Sequence, residues 1–270
     1  MTRAEHRLAV SAPADCDGFV SRWTTVGGVR THWRTLAVEP TGAPPMLLVH
    51  GLAVSHRYLM PTAAALAPRY PVVIPDLPGF GLSGKPRRVY DVAELAEHLA
   101  AWLAWLGLPP VCALGNSFGA EVAAMLAARH PEAVAALVLV GPTSDPTART
   151  RRAQIGRWLV DLAGEDPRQA SILARDVRDA RPRRVFGSLG HSVRHPMEQT
   201  LAEVRAPTLL LRGEKDTIAP ARWLREAARL VPAGALGTIA GSAHNAITTG
   251  GPEVARAVTA FLAAERVGTP

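Results

Sequence analysis

Val111-Cys112-Ala113-Leu114-Gly115-Asn116-Ser117-Phe118-Gly119 is a short apolar run that ends in a serine flanked by glycines, and residues 120–129 beyond it have helical spacing. A strand, a G-x-S-x-G turn and a helix in direct succession describe a nucleophile elbow. The glycines suit a turn so tight that a Cβ would strike the neighbouring strand or helix. The strain of the turn lifts the serine hydroxyl above the carboxyl edge of a sheet, where it can act as a nucleophile. The alternative is a serine that merely caps a helix in a glycine-rich turn.

Outward from this turn the same alternation recurs. Residues 19–26 and 29–36 alternate around Gly27-Gly28 and predict a β-hairpin. After the Pro/Gly-rich stretch 40–45, apolar runs at 46–49, 72–74, 111–114, 134–140 and 208–211 predict strands buried on both faces. Segments 57–66, 92–106, 120–129, 221–230 and 252–264 have helical spacing. The expected fold class is α/β, a mostly parallel central sheet with helices on both faces. Residues 144–200 contain helical stretches without a convincing strand and predict a helical insertion above the sheet. The expected organisation is therefore a flexible N-terminal tail over 1–18, a core over 19–143 and 201–266, and an insertion over 144–200.

A serine nucleophile needs a base, and the base needs an orienting acid. Of the nine histidines, His244 stands apart in Gly241-Ser242-Ala243-His244-Asn245, a loop between the predicted strand 235–239 and the last helix. Loops at strand ends are where an open α/β sheet places its ligand chemistry. Asp216, just beyond strand 208–211, is the expected acid. Asp145, which also follows a strand, and Glu214 are the alternatives.

Composition narrows the function classes. With 48% hydrophobic and 20% charged residues, the chain is neither disordered nor a charge-rich coiled coil. No apolar run approaches the roughly 18–20 residues that cross a bilayer, so no membrane association is expected. The N-terminus lacks the apolar core of a secretory signal, and the expected location is cytoplasmic. Cys16 and Cys112 form no spaced set, so both are expected as free thiols. The net charge is +7, and of the 30 basic residues only Lys85 and Lys215 are lysines. Residues 144–195 hold 11 arginines against 6 acids, a net of +5. No aromatic stacking platform accompanies them, so a solvated face is expected and no nucleic acid partner. No metal and no cofactor are expected, because no two histidines share ligand spacing on one element and no dinucleotide fingerprint is present.

Five motifs in order resemble the α/β-hydrolase superfamily: His50-Gly51 after a strand, Asp76-Leu-Pro-Gly-Phe-Gly-Leu-Ser83, the Ser117 elbow, Gly213-Glu-Lys-Asp216, and Gly241-Ser-Ala-His244. The resemblance, to an esterase or C–C hydrolase-like branch with a small helical cap, extends from about residue 19 to residue 264. It implies the chain order Ser117, Asp216, His244 for the catalytic set. It also implies an oxyanion hole from the backbone N–H groups of Leu52 and Phe118, and a cap formed by the insertion. In this family His50 shapes the oxyanion loop, and the 76–83 turn is structural. Asn116, Val54, Met60 and Phe186 are the expected pocket residues, Phe186 with cap packing as its alternative.

The expected reaction is hydrolysis of a small-molecule carboxylic ester through an acyl-enzyme. Asn116 in the elbow leaves open a C–C bond hydrolase of ring-cleavage products, although Asn245 stands where those enzymes usually have Trp. A thioesterase or cyclase acting on an acyl carrier protein, docked by the basic insertion, is a further alternative. So is a non-catalytic binding protein on the same fold.

Overall fold

The structure, a computed structural model, describes residues 18–36 and 43–267. The expected tail, apart from Gly18, and Cys16 with it, lie outside them. Among the described residues the strands are β1 (Phe19–Val26), β2 (Val29–Leu36), β3 (Met46–Val49), β4 (Val72–Pro75), β5 (Val111–Asn116), β6 (Val134–Val140), β7 (Thr208–Gly213) and β8 (Gly234–Ile239). They form one sheet in the order β1-β2-β4-β3-β5-β6-β7-β8. The β1–β2 and β2–β4 pairs are antiparallel and all other pairs are parallel.

The parallel strands are apolar at nearly every position because both faces are covered. Leu47 and Val49 of β3 point into one core, Met46 and Leu48 into the other. Val111 and Ala113 alternate with Cys112 and Leu114 in the same way on β5. On the first face lie α2 (Val92–Leu106), α3 (Phe118–Arg129), α7 (Met197–Glu203) and α8 (Ala221–Leu230). On the second lie α1 (His56–Leu66) and α10 (Gly251–Ala264). Local signals set the ends of α2: Asp91 and Glu94 form a capping box, and Gly107 closes the helix in the left-handed conformation. The short helix α9 (Ala246–Thr249) had no counterpart in the sequence pattern. Cys112 is a buried free thiol. No helix among the described residues is long and apolar enough to cross a membrane.

Between β6 and β7 the chain is helical. It holds α4 (Arg151–Asp161), α5 (Ala170–Ala180) and α6 (Pro182–Ser192), with α7 returning to the core. One acid ties this insertion to the helix after Ser117. Glu121 of α3 is fully buried, and the hydroxyls of Thr143, Ser144 and Ser192 lie 2.5, 2.7 and 2.6 Å from its Oε1. Burial pushes its pKa up to about 7, against the pull of these three donors.

The turn at Ser117 depends on close backbone approach. A Cβ on Gly119 would lie 2.3 Å from the Val49 carbonyl oxygen, and one on Gly115 2.3 Å from the Gly119 oxygen. Gly119→Ala is therefore expected to destabilise the fold by at least about 2 kcal/mol in urea unfolding. Glu121 holds its proton to higher pH folded than unfolded, so its contribution to stability falls as pH rises from its unfolded value through about 7. Glu121→Gln removes that loss. Its melting temperature relative to the unsubstituted protein should rise by about 3 °C or more between pH 5 and pH 8.

Candidate active site

Ser117 follows the last residue of β5 and precedes the first of α3, with φ 56° and ψ −121°. This backbone state is disfavoured for a residue with a Cβ. It is held in place on both sides. The Ser117 N–H donates to the Val140 carbonyl at 2.9 Å, and Asn116 Nδ2 donates to the same oxygen at 3.2 Å. The hydroxyl consequently projects from the carboxyl edge of the sheet.

His244 Nε2 lies 2.8 Å from Ser117 Oγ, and His244 Nδ1 lies 3.0 Å from Asp216 Oδ2. A carboxylate oxygen accepts, so the imidazole proton sits on Nδ1 and the Nε2 lone pair faces the serine hydroxyl. Asp216 is held by the N–H groups of Ile218 and Ala219, which donate to its Oδ1 at 2.9 and 2.8 Å. The two loops are laced together: Lys215 N–H donates to Ser242 O at 2.9 Å and Glu214 N–H to Ile239 O at 3.0 Å. Gly141 leaves room for the pair, since a Cβ there would lie 3.0 Å from both Asp216 Oδ2 and His244 Nδ1. Burial by itself would lower the His244 pKa, but Asp216, Asp161 and Glu165 outweigh it and hold the value above that of an ordinary imidazole. The other two acids considered from the sequence lie elsewhere. Asp145 pairs with Arg157 and Arg222, and Glu214 accepts from the Gly241 N–H.

The loop after β3 runs close beside the serine. A Cβ on Gly51 would lie 3.3 Å from Ser117 Cβ. His50 pins this loop: Leu77 N–H donates to its Nε2 at 3.0 Å, which leaves Nδ1 to donate to Gly51 O at 2.8 Å. Burial lowers the His50 pKa, in keeping with this neutral tautomer. Among the described residues neither the Leu52 nor the Phe118 backbone N–H donates to a protein acceptor, and both residues line the same cavity as Ser117. Two free N–H groups beside a nucleophile are what a developing oxyanion requires.

That cavity has a volume of about 570 Å³. Val54, Asn116 and Phe186 are among its lining residues; Phe186 is 56% exposed rather than packed within the insertion. Met60 does not line it. It lies on α1, half-buried and packed against the second core. The insertion supplies much of the wall, including Ile155, Trp158, Leu173 and Leu189. None of its arginines is part of that wall. Several instead pair with acids, as Arg149 does with Glu198 and Arg157 with Asp145.

The sequence patterns missed three lining residues that touch the His244 loop. Asp161 Oδ2 accepts from the His244 N–H at 3.3 Å, Glu165 Oε1 accepts from the Asn245 N–H at 2.7 Å, and Tyr58 Oη donates to Asn245 Oδ1. No local motif marks Asp161 or Glu165, whose backbone donors in the Asp216 and His244 loops are more than 50 residues away. Burial, with Asp161 alongside, pushes the Glu165 pKa up to about 7 against the Asn245 N–H.

A second buried cluster explains the 76–83 turn. Asp76 accepts from His32 Nδ1 at 2.8 Å, His56 Nδ1 at 2.9 Å, and the N–H groups of His56 and Leu82, both at 2.8 Å. Burial opposes its ionisation, but the two histidines hold its pKa well below the carboxylate range. His32, His56 and Asp76 present donor atoms within 4.8 Å of one another, a spacing that could hold a metal ion. His32 Nδ1, His56 Nδ1 and both Asp76 oxygens are already committed to each other and to backbone N–H groups, which suits a fastening of hairpin, helix and turn.

Comparison with known proteins accords with this geometry. A family profile described as the alpha/beta hydrolase fold matches residues 44–189, more than half of the chain, and one described as TAP-like protein matches 190–269. A pimeloyl-[acyl-carrier protein] methyl ester esterase of Xanthomonas campestris pv. campestris is 29% identical, covering 82% of this chain and 96% of its own. A 2-(acetamidomethylene)succinate hydrolase of Mesorhizobium japonicum is 25% identical over 94% of this chain and 99% of its own. Among solved structures, a membrane phospholipase A described as a bacterial virulence factor superposes with a TM-score of 0.75 at 27% identity, over 93% of this chain and 87% of that one. The strand order, the serine turn and these relatives place the chain in the α/β-hydrolase superfamily.

Proposed function

We propose that this protein hydrolyses small-molecule carboxylic esters through a covalent acyl-enzyme on Ser117. The observation that carries the reading is the continuous hydrogen-bonded chain Ser117–His244–Asp216 on the wall of a largely apolar cavity. The esterase and hydrolase relatives support the same class of chemistry.

Ser117 Oγ attacks the ester carbonyl carbon as its proton passes to His244 Nε2. The carbonyl oxygen becomes an oxyanion held by the Leu52 and Phe118 N–H groups, and losing one such donor typically costs about 3–4 kcal/mol. When the tetrahedral intermediate collapses, the bond from carbon to the alcohol oxygen breaks and His244 returns the proton to the departing alcohol. Water then attacks the acyl-enzyme, gives its proton to His244 and releases the acid with Ser117 restored. Asp216 keeps the imidazole in the required tautomer throughout. The insertion acts as a cap whose side chains choose the substrate. An acyl group delivered by an acyl carrier protein is compatible with this chemistry, as in the Xanthomonas relative. Arginines such as Arg168 and Arg178 are exposed outside the cavity, where an acidic carrier could reach them.

Incubation with a small fluorophosphonate should add one adduct per chain, read by intact-protein mass spectrometry, and Ser117→Ala should abolish it. An undiminished adduct in that variant would remove Ser117 as nucleophile. Asp216→Asn should lower kcat by about four orders of magnitude while the protein stays folded. The acid limb of kcat/KM should have its midpoint above 6.5, because rate is lost as His244 gains a proton and its pKa is raised. A midpoint well below that value would point to a different base.

A further inference from the structure

Asp161, at the end of α4, and Glu165, just beyond it, stand on the wall of the cavity that also holds His244. They cannot swing away without losing partners. Asp161 Oδ1 accepts from the Thr217 N–H at 3.1 Å, besides the bond from His244 N–H to Oδ2, and Glu165 is held by the Asn245 N–H and by Gln169 Nε2 at 3.4 Å. Among the described residues neither carboxyl has a Lys or Arg within ion-pair distance, and no Lys or Arg lines the cavity. A third acid, Asp166, lines it too. The remaining wall is mainly apolar, with Ile155, Leu162, Leu173 and Ile218 near these acids in the chain or in space. In such surroundings a carboxylate charge, which Glu165 carries in full only above about pH 7, is weakly screened and acts strongly on any charge brought beside it.

Position gives these charges a consequence. His244 must reach the departing oxygen to protonate it, so the leaving alcohol lies against the His244 wall. Asp161 and Glu165 belong to that wall.

We infer that Asp161 and Glu165 select the charge of the leaving group: the site takes esters whose alcohol part is uncharged or cationic, and rejects alcohols that bear a carboxylate or phosphate. This deepens the proposed function and rests on Ser117 as nucleophile and His244 as proton donor. A carboxylate near the acids meets repulsion with no Lys or Arg on the wall to relieve it. An ammonium meets two acids, with the aromatic side chains of Tyr58 and Trp158 lining the same cavity.

The test uses three methylphosphonothioates that share one phosphorus centre. Their leaving thiols carry a trimethylammonium group, an isosteric tert-butyl group or a carboxylate. Each second-order rate of Ser117 modification, followed by intact mass, is divided by that reagent's rate with hydroxide. The cationic and uncharged reagents should exceed the carboxylate reagent by at least about tenfold. Glu165→Gln and Asp161→Asn, which keep an acceptor for the loop N–H groups, should bring the ratio to within about threefold. Equal normalised rates for all three reagents in the unsubstituted protein would overturn the inference. So would a ratio unchanged by both substitutions. If Asp161→Asn does not fold, Glu165→Gln alone decides. Folded protein that reacts with none of the reagents, nor with the fluorophosphonate, would instead overturn the reading of Ser117 itself.

Discussion

Two backbones touch where β5 turns into α3, and much of the site depends on that contact. Gly119 lies so close to the carbonyl oxygens of Val49 and His50 that a Cβ on it would come within 2.3 and 2.5 Å of them. Because α3 can approach β3 so closely, the link from β5 into α3 is a single residue of positive φ, Ser117. The same approach brings the Gly51-Leu52 loop, at the end of β3, beside that serine. A wider turn would separate Ser117 from the Gly51-Leu52 loop.

Around this contact the polar groups divide into two networks with different work. The Asp76 network joins β2, the start of α1 and the 76–83 turn through two buried imidazoles and two N–H groups. Its acid is strongly ionised because its donors face it from every side. The His244 network joins the loops after β7 and β8 to the insertion, and it opens on a cavity. There the neighbouring acids raise the proton affinity of His244 against the effect of burial, and burial together with Asp161 raises that of Glu165. The contrast is physical: a carboxylate surrounded by donors is fastened, whereas carboxylates facing one another around an imidazole remain responsive to protons and to charged ligands.

The insertion is part of this chemistry rather than a separate layer over it. Ser192 of α6 meets Glu121 on the helix that follows the serine, and Asp161 meets backbone donors on both the Asp216 loop and the His244 loop. Its many arginines play no part in the cavity wall and serve its own ion pairs and outer surface. Net charge of the segment and charge of its inner face are therefore opposite in sign. A count of residues along the chain cannot reveal this, since it averages over both faces.

Much of the frame was legible in the chain itself. The strands at residues 46–49, 111–116 and 134–140 are nearly pure apolar runs because helices cover both faces of a parallel sheet, and burial on both faces is a local demand on every residue. The glycines at 115 and 119 and the strand-end positions of Asp216 and His244 are equally local, since each follows from what a tight turn or a strand end permits. The family profile agrees with the reading they supported. Tertiary structure alone decided which acid faces His244, that Met60 stays off the cavity wall, and that His32 and His56 close on Asp76. It alone placed Asp161 and Glu165 beside the imidazole. These are contacts between side chains that lie 20 to more than 80 residues apart, and no periodicity within one segment encodes the face that another segment will present to it.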